Sequence, residues 1–411
     1  QGLPGQLMRT LLAVAIGKLL RSLIRIFRRG GGSAFPGVVA SRIDPNLLIK
    51  ALKSCQAGLV VVSGSAGKSS TTYQLVKLLQ SHGMRVFTNP STANIKQGLF
   101  AAVLKESNLR GQIDYDIAVL EWDEGHGAAM ATELPIRLAV LTNVLSDQLD
   151  RFTDPELVTE KLRLIGLEAQ ALVVNSDDKN LAQFAIDHQQ VIGFGLTDEL
   201  ANSAMAPQYA LNFGEHPQIP KQVIVQTSDS GQFSVASLGR SYEVPVDSAS
   251  LALNYAAALA AAHQLVSIDT TVVDRQFSAR EGVFARNEKT EIYGRRVNLR
   301  LVQNPTSFQL NLDELGGSEA PLMLMAGRDI HDPSWLWTVD FSGLTRVDVV
   351  GGFNAYELAL RLSVAGVEIG QVLPEIPDAT KAFFDLDGEN PTILFSADAM
   401  RRFRRHTKVA K

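Results

Sequence analysis

The sequence predicts an α/β fold: a central parallel-sheet domain, a smaller C-terminal α/β domain, and an amphipathic helix ahead of both. Three observations carry that reading. From residue 58 onward, short apolar runs of strand length alternate with helical stretches, the pattern of strands joined by crossover helices. At 411 residues the chain is long enough for two or three domains. Apolar residues make up 45% and charged residues 20%, a usage that excludes disordered and fibrous classes. Lys and Arg total 39 against 43 Asp and Glu, a net charge of −4, so a globally basic nucleic-acid binder is excluded and no nucleic-acid partner is expected. Cys55 is the only cysteine. It can form neither an internal disulfide nor a Cys-based zinc site, and a reduced, cytoplasmic setting is expected.

Residues 1–45 are expected to form a basic amphipathic helix and a linker. The opening Gln-Gly reads as an expression remnant outside the fold. Leu11, Leu12, Ala15, Leu19, Leu23 and Phe27 recur at helical spacing, interleaved with Arg9, Lys18, Arg21, Arg25, Arg28 and Arg29. The run is too charged to span a bilayer. Two readings stay open: the helix packs on its own protein, or it lies peripherally on an anionic membrane surface. Arg-Arg-Gly-Gly-Gly-Ser then breaks it.

Residues 46–284 are expected to form the central domain. Its strands are predicted at Gly58–Ser63, Arg85–Thr88, Asp116–Glu121, Leu138–Thr142, Ala171–Asn175 and Gln190–Phe194. Residues 197–250 lose the rhythm and turn polar, with Pro207, Pro217, Pro220 and Pro245; an Ala-rich helix follows over Leu251–Val266. Residues 285–411 form the second α/β series, with strands at Arg296–Val302, Pro321–Met325, Arg346–Val350 and Thr392–Phe395.

The sharpest chemical signal follows the first strand: Gly64-Ser65-Ala66-Gly67-Lys68-Ser69-Ser70 leads into a helix. Glycines let the backbone turn its N–H groups toward phosphate, and the helix N-terminus adds partial positive charge. Lys68 is placed to reach β/γ-phosphates and the Ser69 hydroxyl to ligate Mg²⁺. Further on, the apolar strand ending at Leu120 runs into Glu121-Trp122-Asp123-Glu124. Carboxylates at that end of a parallel strand face the ligand crevice, and one of them can hold a metal; a solvated acidic turn is the plainer reading. Leu141-Thr142-Asn143 then opens a polar segment through Asp147 to Arg151, costly to bury unless it has work to do or lies exposed.

The short G-x-x-G-K-S spacing resembles the ATP loop of the Mur ligase superfamily, with Ser65 and Ala66 where that family usually carries Thr and Asn. Glu-x-Asp-Glu followed by Leu-Thr-Asn-x-x-x-Asp-Gln-Leu-Asp-Arg is similar to the MurT type, the ligase subunit of lipid II isoglutaminyl synthase, with Ser146 in place of an Arg. The resemblance implies ATP and Mg²⁺ as cofactors. Gly64, Gly67, Lys68, Ser69 and Ser70 would hold phosphate, and Ser69 and Glu121 the metal. Asn143, Asp147 and Arg151 would line the nucleotide and acyl-phosphate site. Asn89 and Asn94 would lie near substrate, although both equally read as turn formers. Asn254 would contact adenine, although at a helix start it also reads as an N-cap. Arg286 would reach the nucleotide from the domain hinge, where Ala285 replaces a Gly, and Asn304 matches an Asn-Pro segment with Gln303 in place of Lys.

Near the C-terminus, Gly327-Arg328-Asp329-Ile330-His331-Asp332-Pro333-Ser334-Trp335-Leu336-Trp337 resembles the Asp-x-Ser-Trp-x-Trp motif of MurT-type C-terminal domains, with Thr338 in place of an Asp. Read alone it is a loop pinned by Trp packing. The family pairs with a GatD-like glutamine amidotransferase, and the motif Asp, best matched by Asp332 and next by Asp329, would complete that partner's Cys-His-Asp arrangement. Members usually carry a four-Cys zinc ribbon near residues 197–250; with Cys55 alone, no zinc is expected. The implied function is ATP-dependent amidation of the α-carboxylate of D-glutamate in lipid II. Two other readings stand beside it: another amide ligase of the superfamily, of folylpolyglutamate synthase or Mur peptide ligase type, or a non-catalytic nucleotide-binding scaffold.

Overall fold

The computed structural model describes residues 3–27, 35–89, 96–145, 154–203, 205–207, 209–212, 217–228, 231–246, 248–278, 288–302, 305–313, 315, 321–330 and 333–409. These fall into two compact units. In the first, three helices precede the sheet: α1 (Leu3–Phe27), α2 (Phe35–Ile43) and α3 (Leu47–Lys53). The N-terminal helix packs on its own unit. Ala13 and Val14 are buried, and the buried Thr10 hydroxyl donates to Asp44 Oδ2 at 2.6 Å. Lys50 closes on the same carboxylate at 2.8 Å.

The sheet that follows has nine strands among the described residues, in the order β2-β3-β1-β4-β5-β6-β7-β8-β9. They are β1 (Leu59–Ser63), β2 (Val86–Thr88), β3 (Ile117–Glu121), β4 (Ile136–Leu141), β5 (Ala169–Asn175), β6 (Val191–Leu196), β7 (Lys221–Thr227), β8 (Phe233–Ser237) and β9 (Arg240–Glu243). The pairs from β2 to β7 are parallel. Intervening helices are α4 (Lys68–Ser81), α5 (Lys96–Glu106), α6 (Glu124–Ala131), α7 (Pro155–Leu167), α8 (Lys179–Ala185) and α9 (Asp198–Ala201), with α10 (Ala249–His263) and α11 (Thr270–Ser278) after the last strand. β1 lies between β3 and β4 and is buried along its whole length, which is why it reads as an unbroken Leu-Val-Val-Val run and not an alternating one. The chain leaves β1 through α4 toward β2 but leaves β4 through α7 toward β5, on the other side. The carboxyl ends of β1 and β4 therefore flank a topological switch point, the usual ligand crevice of open α/β sheets.

The six central strands lie where the sequence places them, to within two residues at each boundary. Residues 197–250 differ. That polar stretch holds β7–β9, an antiparallel extension of the sheet. β7 buries alternate residues, Val223 and Val225, β9 buries Tyr242 alone, and two of the four buried residues of β8 are serines, so these strands carry less apolar signal than the central ones. The Ala-rich helix begins two residues earlier than expected. Its N-cap is Ser248, whose side chain accepts from Leu251 N, and Asn254 is an interior, buried position; the N-cap reading of Asn254 is corrected accordingly.

The second unit carries a six-stranded sheet among the described residues, ordered β10-β11-β15-β12-β13-β14. The strands are β10 (Glu288–Ile292), β11 (Arg295–Leu301), β12 (Leu322–Met325), β13 (Arg346–Gly351), β14 (Glu368–Leu373) and β15 (Thr392–Phe395), accompanied by α12 (Pro305–Asp313), α13 (Ala355–Val364), α14 (Ile376–Phe384) and α15 (Ala397–Thr407). All pairs except β10–β11 are parallel. The edge strands β10 and β14 are absent from the sequence reading because their exposed edges carry polar side chains such as Glu291 and Gln371, as edge strands do.

Candidate active site

The loop after β1 is shaped by two left-handed glycines, Gly64 (φ +132°) and Gly67 (φ +82°). Neighbouring chain then fixes it. Ser65 N donates to Asn143 O at 2.9 Å, and Ala66 N donates to Asn143 Oδ1 at 2.8 Å. The Thr142 hydroxyl donates to Ala66 O at 2.6 Å, and Leu145 N donates to Ser65 Oγ at 3.1 Å. Asn143 is thus a buttress for the loop, spending both its backbone and its side chain on residues 65 and 66.

A second support lies behind the first. The buried Asp178 caps α8 through Asn180 N and also accepts from Val144 N, tying the exit of β4 to the end of β5. Burial pushes its carboxyl up from the ordinary 3.8 to about 6, against the lowering effect of hydrogen bonds from Val144 and Asn180. The folded chain therefore holds this proton at a higher pH than the unfolded chain, and the linked stability is present below 3.8 and lost as pH rises through about 6. Lowering the pH from about 7 to about 5 is expected to stabilise the native chain by about 1 kcal/mol relative to Asp178→Asn, measured as urea midpoints at the two pH values.

Lys68 is the first residue of α4. Its ammonium donates to Gly64 O and, at 3.2 Å, to Ser65 O, and pairs with Glu124 Oε1 at 2.7 Å. The two side chains are 13% and 2% exposed, so the pair is nearly dry. Glu124 opens α6 directly after the N-cap Asp123, which accepts from His126 N. Two buried oxygens lack hydrogen-bond partners among the described residues: Glu124 Oε2, on the carboxylate of this pair, and Ser69 Oγ, on the residue after Lys68. Glu121 pairs with Val62 in register at the end of β3. Asn89 brackets its backbone, accepting from Glu121 N at 2.9 Å and donating to Glu121 O at 3.0 Å. Asn254 reaches from α10 to the foot of the loop, where Oδ1 accepts from Thr71 Oγ1 at 3.3 Å.

The structure therefore gathers Gly64, Gly67, Lys68, Ser69, Asn143 and Asn254 about one loop, and ties Asn89 to the strand end that bears Glu121. Ser70 is buried in the first turn of α4. Asn94, Asp147, Arg151, Arg286, Asn304 and Asp332 lie outside the described residues. Sequence reasoning passed over Glu124 as the partner of Lys68. The available signal was an Asp-Glu pair at a strand end, with Asp in N-cap position and Glu one residue later.

In the second unit, the start of the Trp motif is pinned from below. Asn354 Nδ2 donates to Gly327 O and Ile330 O, both at 2.9 Å. Asp329 accepts from Ser396 Oγ at 2.6 Å. The Arg361 guanidinium lies 5.6 Å from the Trp337 ring centre, and the ring itself is half exposed. Cys55 is buried in the first unit, and burial, with the Asp116 charge nearby, pushes its thiol up to about 11. It is not a thiolate nucleophile at neutral pH.

Two family models match the chain: the Mur ligase middle domain over residues 62–262 and the MurT ligase C-terminal domain over residues 301–400. Its two domains match those of the MurT type of the Mur ligase superfamily, one model each. It is 26% identical to the MurT subunit of the glutamine-hydrolysing lipid II isoglutaminyl synthase of Streptococcus pneumoniae, covering 97% of this chain and 96% of that one. The corresponding subunit of Staphylococcus aureus is 24% identical, over 93% and 94%. In fold the chain is similar to the MurF ligase of Thermotoga maritima, solved in complex with ADP, with a TM-score of 0.64, 18% identity, and coverage of 91% and 83%.

Proposed function

We propose that this chain is the ligase subunit of a two-subunit amidating enzyme that acts on lipid II at the inner face of the cytoplasmic membrane. In this reading ATP phosphorylates the α-carboxylate of the D-glutamate residue, releasing ADP. Ammonia then displaces phosphate to leave D-isoglutamine. The observation that carries the reading is the nearly dry Lys68–Glu124 pair at a glycine-shaped loop on the first helical turn of α4. With the N–H groups of Ser65 and Ala66 engaged by Asn143, the N-terminus of α4, which begins at Lys68, offers the cradle for phosphate oxygens, and Lys68 supplies the compensating charge. Ser69 Oγ and Glu124 Oε2, buried without partners, are hard oxygen donors that fit a magnesium ion held partly by nucleotide phosphates. Such an ion would offset charge on the transferring phosphoryl group. Among the described residues no cluster of three or more His, Cys, Asp or Glu forms a complete metal cage, in keeping with a metal completed by its nucleotide. Glu121 as a metal ligand, Asn254 at adenine, Asn89 and Asn94 near substrate, and the loop through Asp147 and Arg151 belong to the same proposal, as do Arg286 and Asn304.

Ammonia comes from a partner in this reading, because Cys55 is unsuited to hydrolyse glutamine. A GatD-like amidotransferase fits the subunit naming of the relatives. The surface best suited to receive it is the outer side of α13, where Tyr356, Leu360 and Val364 recur every fourth residue, flanked by Phe353 and Trp337, all at least half exposed. An apolar, aromatic patch of this kind is typical of an interface core. Tyr356→Asp is expected to weaken capture of the amidotransferase about 100-fold while leaving ATP binding intact, as read by biolayer interferometry and nucleotide titration. The deciding experiment for the function is mass spectrometry of lipid II incubated with this chain, its amidotransferase, MgATP and glutamine. Conversion of one carboxylate to a carboxamide is expected; unaltered lipid II with a folded, associated complex would overturn the reading.

A further inference from the structure

The rotation of α1 about its own axis is fixed by its inner face. Thr10, Ala13, Val14 and Gly17 are buried, and Thr10 is locked to Asp44. A Cβ at Gly17 would lie 2.6 Å from Leu104 Cδ2, so the helix sits close on α5. Lys18 Nζ donates to Ser107 O just beyond the end of α5. What points outward is therefore committed, and it includes a stripe of large apolar side chains. Met8, Leu12, Ile16, Leu19 and Leu23 follow one another at three- and four-residue spacing, with exposures from 37% at Ile16 to 60% at Leu19. Residues so spaced share one helix face.

Charge says what covers this stripe. The chain carries a net charge of −4, yet no Asp or Glu occurs before Asp44, while Arg9, Lys18, Arg21, Arg25, Arg28 and Arg29 all do. A second copy would set two such basic helices against each other, which like-charge repulsion opposes. An anionic surface with an apolar layer beneath it satisfies both halves of the pattern. No described helix is long and apolar enough to cross a membrane. We infer that the outer face of α1 is a docking surface for an anionic lipid bilayer, with the helix lying in the plane of the headgroups and Met8, Leu12, Leu19 and Leu23 entering the acyl boundary. The inference deepens the membrane setting of the proposed function, but it rests on the two faces of α1 and not on the ligase chemistry.

The test is co-sedimentation of the full chain with vesicles of phosphatidylglycerol mixed with phosphatidylcholine, compared with phosphatidylcholine alone. Anionic vesicles are expected to retain about tenfold more protein, and high salt to reduce that preference. The triple variant Leu12→Ser/Leu19→Ser/Leu23→Ser alters only outward residues; its binding is expected to fall about tenfold while its melting temperature and ATP affinity stay unchanged. Arg25→Gln/Arg28→Gln is expected to lose the anionic preference. Equal retention on both vesicle types, or a folded triple variant that binds like the native chain, would overturn the inference. A native dimer that the triple variant converts to monomer would overturn it in favour of a second copy. Nucleotide binding reports on the ligase reading separately.

Discussion

Lys68→Met is expected to lower ATP-dependent amidation by about 10²–10³-fold, the range for removing one preorganised group that stabilises transferring charge. It is also expected to destabilise the first unit by about 3 kcal/mol. The second effect follows from the setting of the pair: Glu124 is 2% exposed, one of its oxygens has no hydrogen-bond partner, and removal of Lys68 leaves that carboxylate buried and unpaired. The two losses come apart in a double variant. Lys68→Met/Glu124→Gln removes both charges, and replacing a buried pair by neutral groups of similar volume is close to neutral for stability. The double variant should therefore melt near the native temperature yet remain as inactive as the single one. Recovery of amidation in the double variant would mean that Lys68 acts by packing and not through its charge on phosphate. Differential scanning calorimetry and the amidation assay on the same preparations supply both readings.

What the sequence disclosed follows the range of each interaction. Lys68 and Ser69 were legible because the loop and the first turn of α4 are consecutive in the chain, and helix and glycine requirements are local. Glu124 was not, because its pairing with Lys68 is made across 56 positions and depends on β3 lying beside β1, a fact of sheet order. Asn254 lies 183 positions from Thr71, and only the packing of α10 on α4 joins them. The resemblance assigned it to adenine; the structure adds a bond to the base of the phosphate loop. The same logic governs the strands. β1 and β3 are buried on both faces and announce themselves as apolar runs, whereas β7 buries only alternate residues and β14 has no fully buried residue, so neither stands out until a partner strand defines an inside. For α1, periodicity identified a helix but not its inner face, because large apolar residues lie outward and small ones, Ala13 and Gly17, lie inward.

The two loop glycines are expected to respond differently to the same added methyl group. At Gly64 a Cβ would lie 2.2 Å from Thr142 Oγ1 and 3.0 Å from both the backbone nitrogen and the backbone oxygen of Asn143. Backbone on the neighbouring strand exit cannot step aside without releasing the bonds that hold residues 65 and 66. To that clash is added the left-handed φ of +132°, and together the two are expected to cost about 3 kcal/mol in Gly64→Ala, with nucleotide affinity falling about 100-fold. At Gly67 the obstruction is a side chain, since Asn254 Oδ1 would sit 2.2 Å from the new Cβ. Gly67→Ala should be comparably damaging alone, but Asn254→Ala removes the obstruction and leaves only the backbone cost, about 1–2 kcal/mol. The pair is therefore expected to be less destabilised than the sum of its single variants, by about 1 kcal/mol. The corresponding double variant Gly64→Ala/Thr142→Ala should show a smaller relief, because the 3.0 Å contacts with Asn143 backbone persist after the Thr142 side chain is removed. Thermal unfolding and fluorescent ATP-analogue titration across both cycles measure the difference. Equal coupling in the two would mean that the loop yields as a whole, and that Asn143 does not hold it rigid.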